Sequence, residues 1–164
     1  MAGRAPVVVF AVGNPSRGDD AIGPTLLAWL EGWLAGQGRV PEVDLVEDFQ
    51  LQIEHAIDLE HRRLALFIDA GQGTPAPFDF AAIMPRADWG HSTHALEPRQ
   101  VLAVYAQTNP TPPPAAFVLC VRGESFELGA PLSAAARDHC AAAQAFLQRL
   151  LSDPDPAVWA QWAA

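Results

Sequence analysis

The sequence predicts an α/β protein of three layers, α/β/α, built on a doubly wound, mostly parallel twisted sheet of about five strands. Three observations carry that expectation. Residues 7–12, 64–68 and 116–121 are short apolar runs closed by turn or polar residues, and they lack the alternation of a half-exposed strand. The stretches between them carry apolar residues at helical spacing, as at Ile22, Leu26, Trp29, Leu30 and Trp33. Strand and helix signals alternate along the chain. Its 164 residues suffice for one sizeable core, so a single domain over residues 1–164 is expected.

Taken in order, residues 7–12 form the first strand and Gly13-Asn14-Pro15 closes it. A turn follows, then the adjacent acids Asp19 and Asp20, then a helix that fades at Gly36-Gln37-Gly38. Residues 43–46 offer a short second strand ending at Glu47 and Asp48. Residues 49–59 read as a helix, with Leu51, Ile53, His55, Ala56 and Leu59 partly on one face. The third strand, 64–68, stops at Asp69 and Ala70-Gly71. Residues 78–84 are a weaker strand suited to a sheet edge. A further helix is expected to start near Thr93-His94, with Glu97-Pro98 in its first turn and Val101, Leu102 and Tyr105 inward. Residues 109–114, rich in proline, must be connector. After the strand 116–121, Ser133 is a good N-cap for a long helix to about Leu151, with Ala136, Cys140, Ala143, Phe146, Leu147 and Leu150 inward. Trp159 and Trp162 suggest one more helical turn, packed on the domain.

Composition narrows the function. The net charge is −9 with no lysine, which disfavours nucleic acid as a partner. No apolar run approaches the roughly 20 residues that span a bilayer, and no secretory signal precedes the first strand, so a cytoplasmic protein away from the membrane is expected. Cys120 and Cys140 lack metal-ligand spacing and are expected to be reduced, buried thiols. Residues 13–20 lack the lysine and hydroxyl of a phosphate-binding P-loop and the glycine spacing of a dinucleotide fingerprint. No Gly-x-Ser-x-Gly elbow is present.

Three strong ligand types fall at equivalent places. Asp20 follows strand one, Asp69 ends strand three, and His94 opens the helix after strand four. In a parallel sheet the carboxyl ends share one edge, where ligands bind. Two carboxylates and an imidazole make a mixed oxygen and nitrogen set that suits nickel, zinc or similar divalent ions. Each residue also has a plain structural reading. Asp19 or Asp20 can cap the first helix, Asp69 can form a turn, and His91 rivals His94 by composition. Glu54 and His55 can be a helix face. Their joint position at one sheet edge is what points to a site.

At G-N-P-S-R-G-D-D-A-I-G-P, residues 13–24, the chain resembles the hydrogenase maturation proteases, endopeptidases that process the large subunit of nickel–iron hydrogenases. The resemblance continues through F-I-D-A-G at 67–71 and S-T-H-A-L-E-P-R-Q-V-L at 92–102. The segment E-D-F-Q-L-Q-I-E-H-A-I-D-L at 47–59 is similar to the branch that serves soluble, NAD-linked bidirectional hydrogenases. The match covers nearly the whole chain in order.

Carried over to this sequence, the resemblance implies that Asp20, Asp69 and His94 are both the metal ligands and the catalytic residues. Asp20 is the second acid of the pair, and His94 directly precedes the helix. Asp48 matches a further acid that serves substrate recognition. Ala21 stands where many members have glycine, which implies an ordinary helical start. The resemblance further implies a partner, the hydrogenase large-subunit precursor, whose own nickel is the recognition element; a different divalent metal at the same site is the alternative. Cleavage then removes the precursor's C-terminal extension, with no serine or cysteine nucleophile. The family is also called aspartic-type, but an Asp20–Asp69 proton-sharing dyad leaves His94 without a role. A monomer is expected. A nickel carrier without hydrolytic activity is the principal rival, and a flavodoxin-like electron carrier is a second.

Overall fold

The computed structural model describes residues 3–87 and 96–163. Strands β1 (Val7–Val12), β2 (Val43–Asp48), β3 (Leu64–Gly71), β4 (Phe78–Ile83) and β5 (Ala115–Arg122) form one sheet in the order β2-β1-β3-β5-β4. All pairs are parallel except β4, which runs antiparallel to β5 at the edge. Helices α1 (Ile22–Gly36), α2 (Pro98–Thr108), α3 (Ala134–Ser152) and α4 (Pro156–Trp162) cover its two faces. The three-layer expectation holds.

The unbroken apolar runs have the physical cause read from the sequence. Alternate residues of β1 point to opposite faces, and both faces are covered. Val7, Val9 and Ala11 join Ile22, Leu26 and Leu30 of α1 and Leu147 and Leu150 of α3 in one core. Val8, Phe10 and Val12 join Ala56, Leu59, Val101, Leu102 and Tyr105 in the other. Phe10 stacks on Phe67 across β1 and β3, with ring centroids 4.7 Å apart.

The C-terminal tail belongs to the first core. Trp159 is fully buried, packs edge-on against Phe80 and Phe117, and donates its indole N–H to Leu150 O at 2.8 Å. Burying some 200 Å² of aromatic surface contributes on the order of 5 kcal/mol, so α4 is a fixed part of the fold. Its N-cap is Asp155, whose carboxylate accepts from Ala157 N.

Three expectations need correction. Residues 49–59 are not one α-helix; a 3-10 helix covers only Ile53–Leu59, and Leu51 instead makes an isolated bridge with Leu96. The helix starts late because Gln52 is extended and its N–H is capped by the His55 ring. Ile53 therefore faces solvent, while His55, Ala56 and Leu59 turn inward. Similarly, α2 starts at Pro98, and Glu97 is its extended N-cap. A residue before proline is pushed out of the helical region, and proline suits the first helical position. Finally, Cys140 is buried but Cys120 is only half-buried; both are free thiols.

Candidate active site

The carboxyl ends of β1, β2 and β3 meet at one level. Val12 is in register with Asp48, while Ala11 pairs with Ile68, which brings Asp69 beside the end of β1. Gly13 then turns the chain, its N–H donating to Asp48 O at 3.1 Å. Its φ is +149°, and a Cβ there would lie 2.0 Å from Asp20 O, so only glycine permits the turn to close on Asp20. Asn14 N donates to Asp20 Oδ2 at 2.7 Å, and Asn14 Oδ1 accepts from Ser16 N. The turn residues Gly, Asn and Ser thus aim one carboxylate.

A short 3-10 turn, Gly18–Ala21, carries both acids, and they have opposite tasks. Asp19 is fully buried and accepts four hydrogen bonds: from the backbone N–H of Glu124, Ser125 and Ser133, and from the Ser133 hydroxyl. Ser133 Oγ in turn accepts from Ala136 N and caps α3, as its position in the sequence predicts. Burial alone would push the Asp19 carboxyl up, but these bonds outweigh it and hold it below its ordinary range. Asp19 is therefore neither a cap of α1 nor a free ligand; it ties the β1–α1 turn to the β5–α3 loop. Neither acid caps α1, whose N-cap is Ala21 with an ordinary right-handed φ of −75°.

Asp20 and Asp69 both line a cleft of about 460 Å³ with Val12, Gly13, Phe49, Gln50, Leu51, Leu96, Glu97 and Pro98. Among these described lining residues there are three carboxylates and no arginine. Asp69 is half-buried, and its Oδ1 accepts from Ala70 N at 2.8 Å. Burial pushes its carboxyl up to about 6; the Ala70 bond opposes this and the nearby Asp20 charge adds to it. A carboxylate whose ionisation is costly beside a second carboxylate is a place that favours a cation. The oxygen donors Asp20 and Asp69 suit a divalent ion.

His94 and its rival His91 lie outside the described residues. Among the described residues, no group of three His, Cys, Asp or Glu side chains could hold a metal ion. Asp48 is half-buried next to the cleft wall; its Oδ1 accepts from Phe49 N, and its Oδ2 lies 3.4 Å from His55 Nε2. Sequence reasoning missed this pairing, although the Gln-x-x-His spacing at 52–55 resembles a capping box with histidine in the usual Glu or Gln place. It also missed Asp19, for which no local signal exists. Cys120 is level with Asp69 on β5, but burial pushes its thiol up, which the Thr74 contact only partly offsets, so it is no ready nucleophile.

Together these features define an α/β protein with an acidic cleft at the carboxyl edge of its sheet. Among solved structures, the fold is shared with the NiFe hydrogenase maturation protease HycI from Thermococcus kodakarensis, at 20% identity over 93% of this chain and 96% of that one, with a TM-score of 0.68. It is shared equally with the hydrogenase maturating endopeptidase HybD from Escherichia coli, at 19% identity, 90% and 93% coverage and a TM-score of 0.69. The solution structure of an endopeptidase from Escherichia coli has the same coverage and TM-score at 21% identity. No protein-family model matches the sequence, and no curated protein matches it significantly. Among the described residues, no helix is long and apolar enough to cross a membrane.

Proposed function

We propose that this chain is an endopeptidase of nickel–iron hydrogenase maturation, which removes the C-terminal extension of a large-subunit precursor after nickel has been inserted. The observation that carries this reading is the pairing of Asp20 and Asp69 in one cleft, at the strand ends where the motifs 13–24 and 67–71 place them. The fold, shared with maturation proteases over almost their whole length, supports it.

In this reading Asp20, Asp69 and His94 contact the nickel ion that the precursor brings, and Asp48 takes part in recognising the substrate. The precursor's ion would supply Lewis-acid polarisation of the scissile carbonyl. Water adds to that carbonyl, a carboxylate of the pair accepts its proton, and the carbon–nitrogen bond breaks as the leaving amine takes a proton. The motif at 47–59 points to a soluble, NAD-linked hydrogenase as the partner, and so to the cytoplasm, with the protease acting as a monomer.

The test is incubation with nickel-loaded and nickel-free precursor, with mass spectrometry of the precursor's C-terminus and His94→Ala in parallel. The expected result is loss of the extension only from nickel-loaded precursor, abolished by the substitution. An unchanged precursor together with tight binding of free nickel would overturn the protease in favour of a carrier.

A further inference from the structure

One stretch of the cleft lining is the bent segment 49–51 after β2, and one buried side chain, His55, contacts the residues that flank it, Asp48 and Gln52. His55 Nδ1 accepts from Gln52 N at 2.8 Å, so the neutral ring carries its proton on Nε2. That Nε2–H faces Asp48 Oδ2 at 3.4 Å, and Asp48 itself accepts from Phe49 N. The ring is fixed by its edge-on contact with Phe10, 5.9 Å between centroids and 84° between planes. Between these anchors, Phe49 lines the cleft while 63% exposed, an uncommon state for a phenylalanine.

We propose that His55 is a positioning residue, which clamps Asp48 and Gln52 so that Phe49 is presented as an apolar contact for the docking polypeptide beside Asp20 and Asp69. The proposal rests on the protease reading. The occupant is an extended segment of the substrate protein that brings a cationic centre, because the described cleft lining carries the carboxylates of Asp20, Asp69 and Glu97. Ile53, 59% exposed, continues the apolar contact just beyond the clamp. A wall held rigid before docking loses little entropy when the substrate orders on it, so the clamp acts on binding more than on bond breaking.

Two substitutions separate its halves. Asparagine places an acceptor near the Nδ1 position and loses the donor to Asp48; glutamine keeps a donor near Nε2 and loses the acceptor for Gln52. Steady-state cleavage of nickel-loaded precursor is expected to show KM raised about tenfold in His55→Asn, His55→Gln and Phe49→Ala, with kcat within about twofold of the parent. Long-range nitrogen–proton NMR of the parent should show the His55 ring protonated on Nε2 alone. A parent that cleaves while the His55 variants lower only thermal stability, or lower kcat at unchanged KM, overturns the positioning role and leaves the protease reading intact. A ring protonated on Nδ1 overturns it as well. A parent that never cleaves the precursor overturns the protease reading, and the positioning role with it.

Discussion

Replacing Asp69 by asparagine should stabilise the metal-free protein, and only above a definite pH. The carboxyl is raised from an ordinary 3.8 to about 6, first by burial and then by the Asp20 charge, against the Ala70 hydrogen bond. The folded state therefore holds the proton more tightly than the unfolded chain. The resulting stability is fully present below pH 3.8 and is lost as pH rises through about 6. A span of two units at about 1.4 kcal/mol each gives a ceiling of about 3 kcal/mol. Residual solvent contact brings the expected gain to about 1–3 kcal/mol. Asparagine keeps an oxygen for Ala70 N and has no charge to lose, so Asp69→Asn avoids this penalty. Urea unfolding of both proteins in chelator, from about pH 4.5 to about pH 8, reads the difference. The gap should open between pH 4 and 6 and stay flat above. A gap that is absent, independent of pH, or wider on the acid side would refute the argument.

The neighbouring acid should behave in the opposite sense. Asp19→Asn puts an NH2 donor where one of two accepting oxygens stood, facing the Ser133 N–H if the amide oxygen keeps the other three bonds. It also removes the charge that strengthens them, at a cost of about 3 kcal/mol near neutral pH. Because the Asp19 carboxyl is held below its ordinary value, that cost should shrink as pH falls below 3.8, which denaturation at several pH values would show. Gly13→Ala forces a side chain into glycine-only backbone and against Asp20 O. A loss of about 1–3 kcal/mol from strain alone is expected, together with an NMR shift of the Asn14 amide as its bond to Asp20 is disturbed.

The parts of this fold that were legible in the sequence are those set by local physics. Residues 7–12, 64–68 and 116–121 of β1, β3 and β5 lie between two helical layers and so had to be apolar; Ser133 caps the helix that follows it. The strand-end positions of Asp20 and Asp69 followed from the same reasoning, since parallel strands share a carboxyl edge. What was hidden depends on distant or competing partners. Asp19 and Asp20 are adjacent and chemically alike, and the bonds that single out Asp19 come from a loop far downstream. The 49–59 stretch has enough apolar residues for an α-helix, but Leu51 is drawn off to Leu96 and the His55 ring caps Gln52 instead. A period of 3.6 read over a segment this short could not separate the two outcomes.

The Asp19 clamp also sets a timetable. Its donors lie 105 to 114 residues further along the chain. At synthesis rates of about 5–20 residues per second, they emerge roughly 5 to 20 seconds after Asp19 itself. Until then the turn that aims Asp20 lacks these four bonds, even though β1 and β3 are already available to pair. The acidic cleft therefore takes its final form only when the last third of the chain arrives.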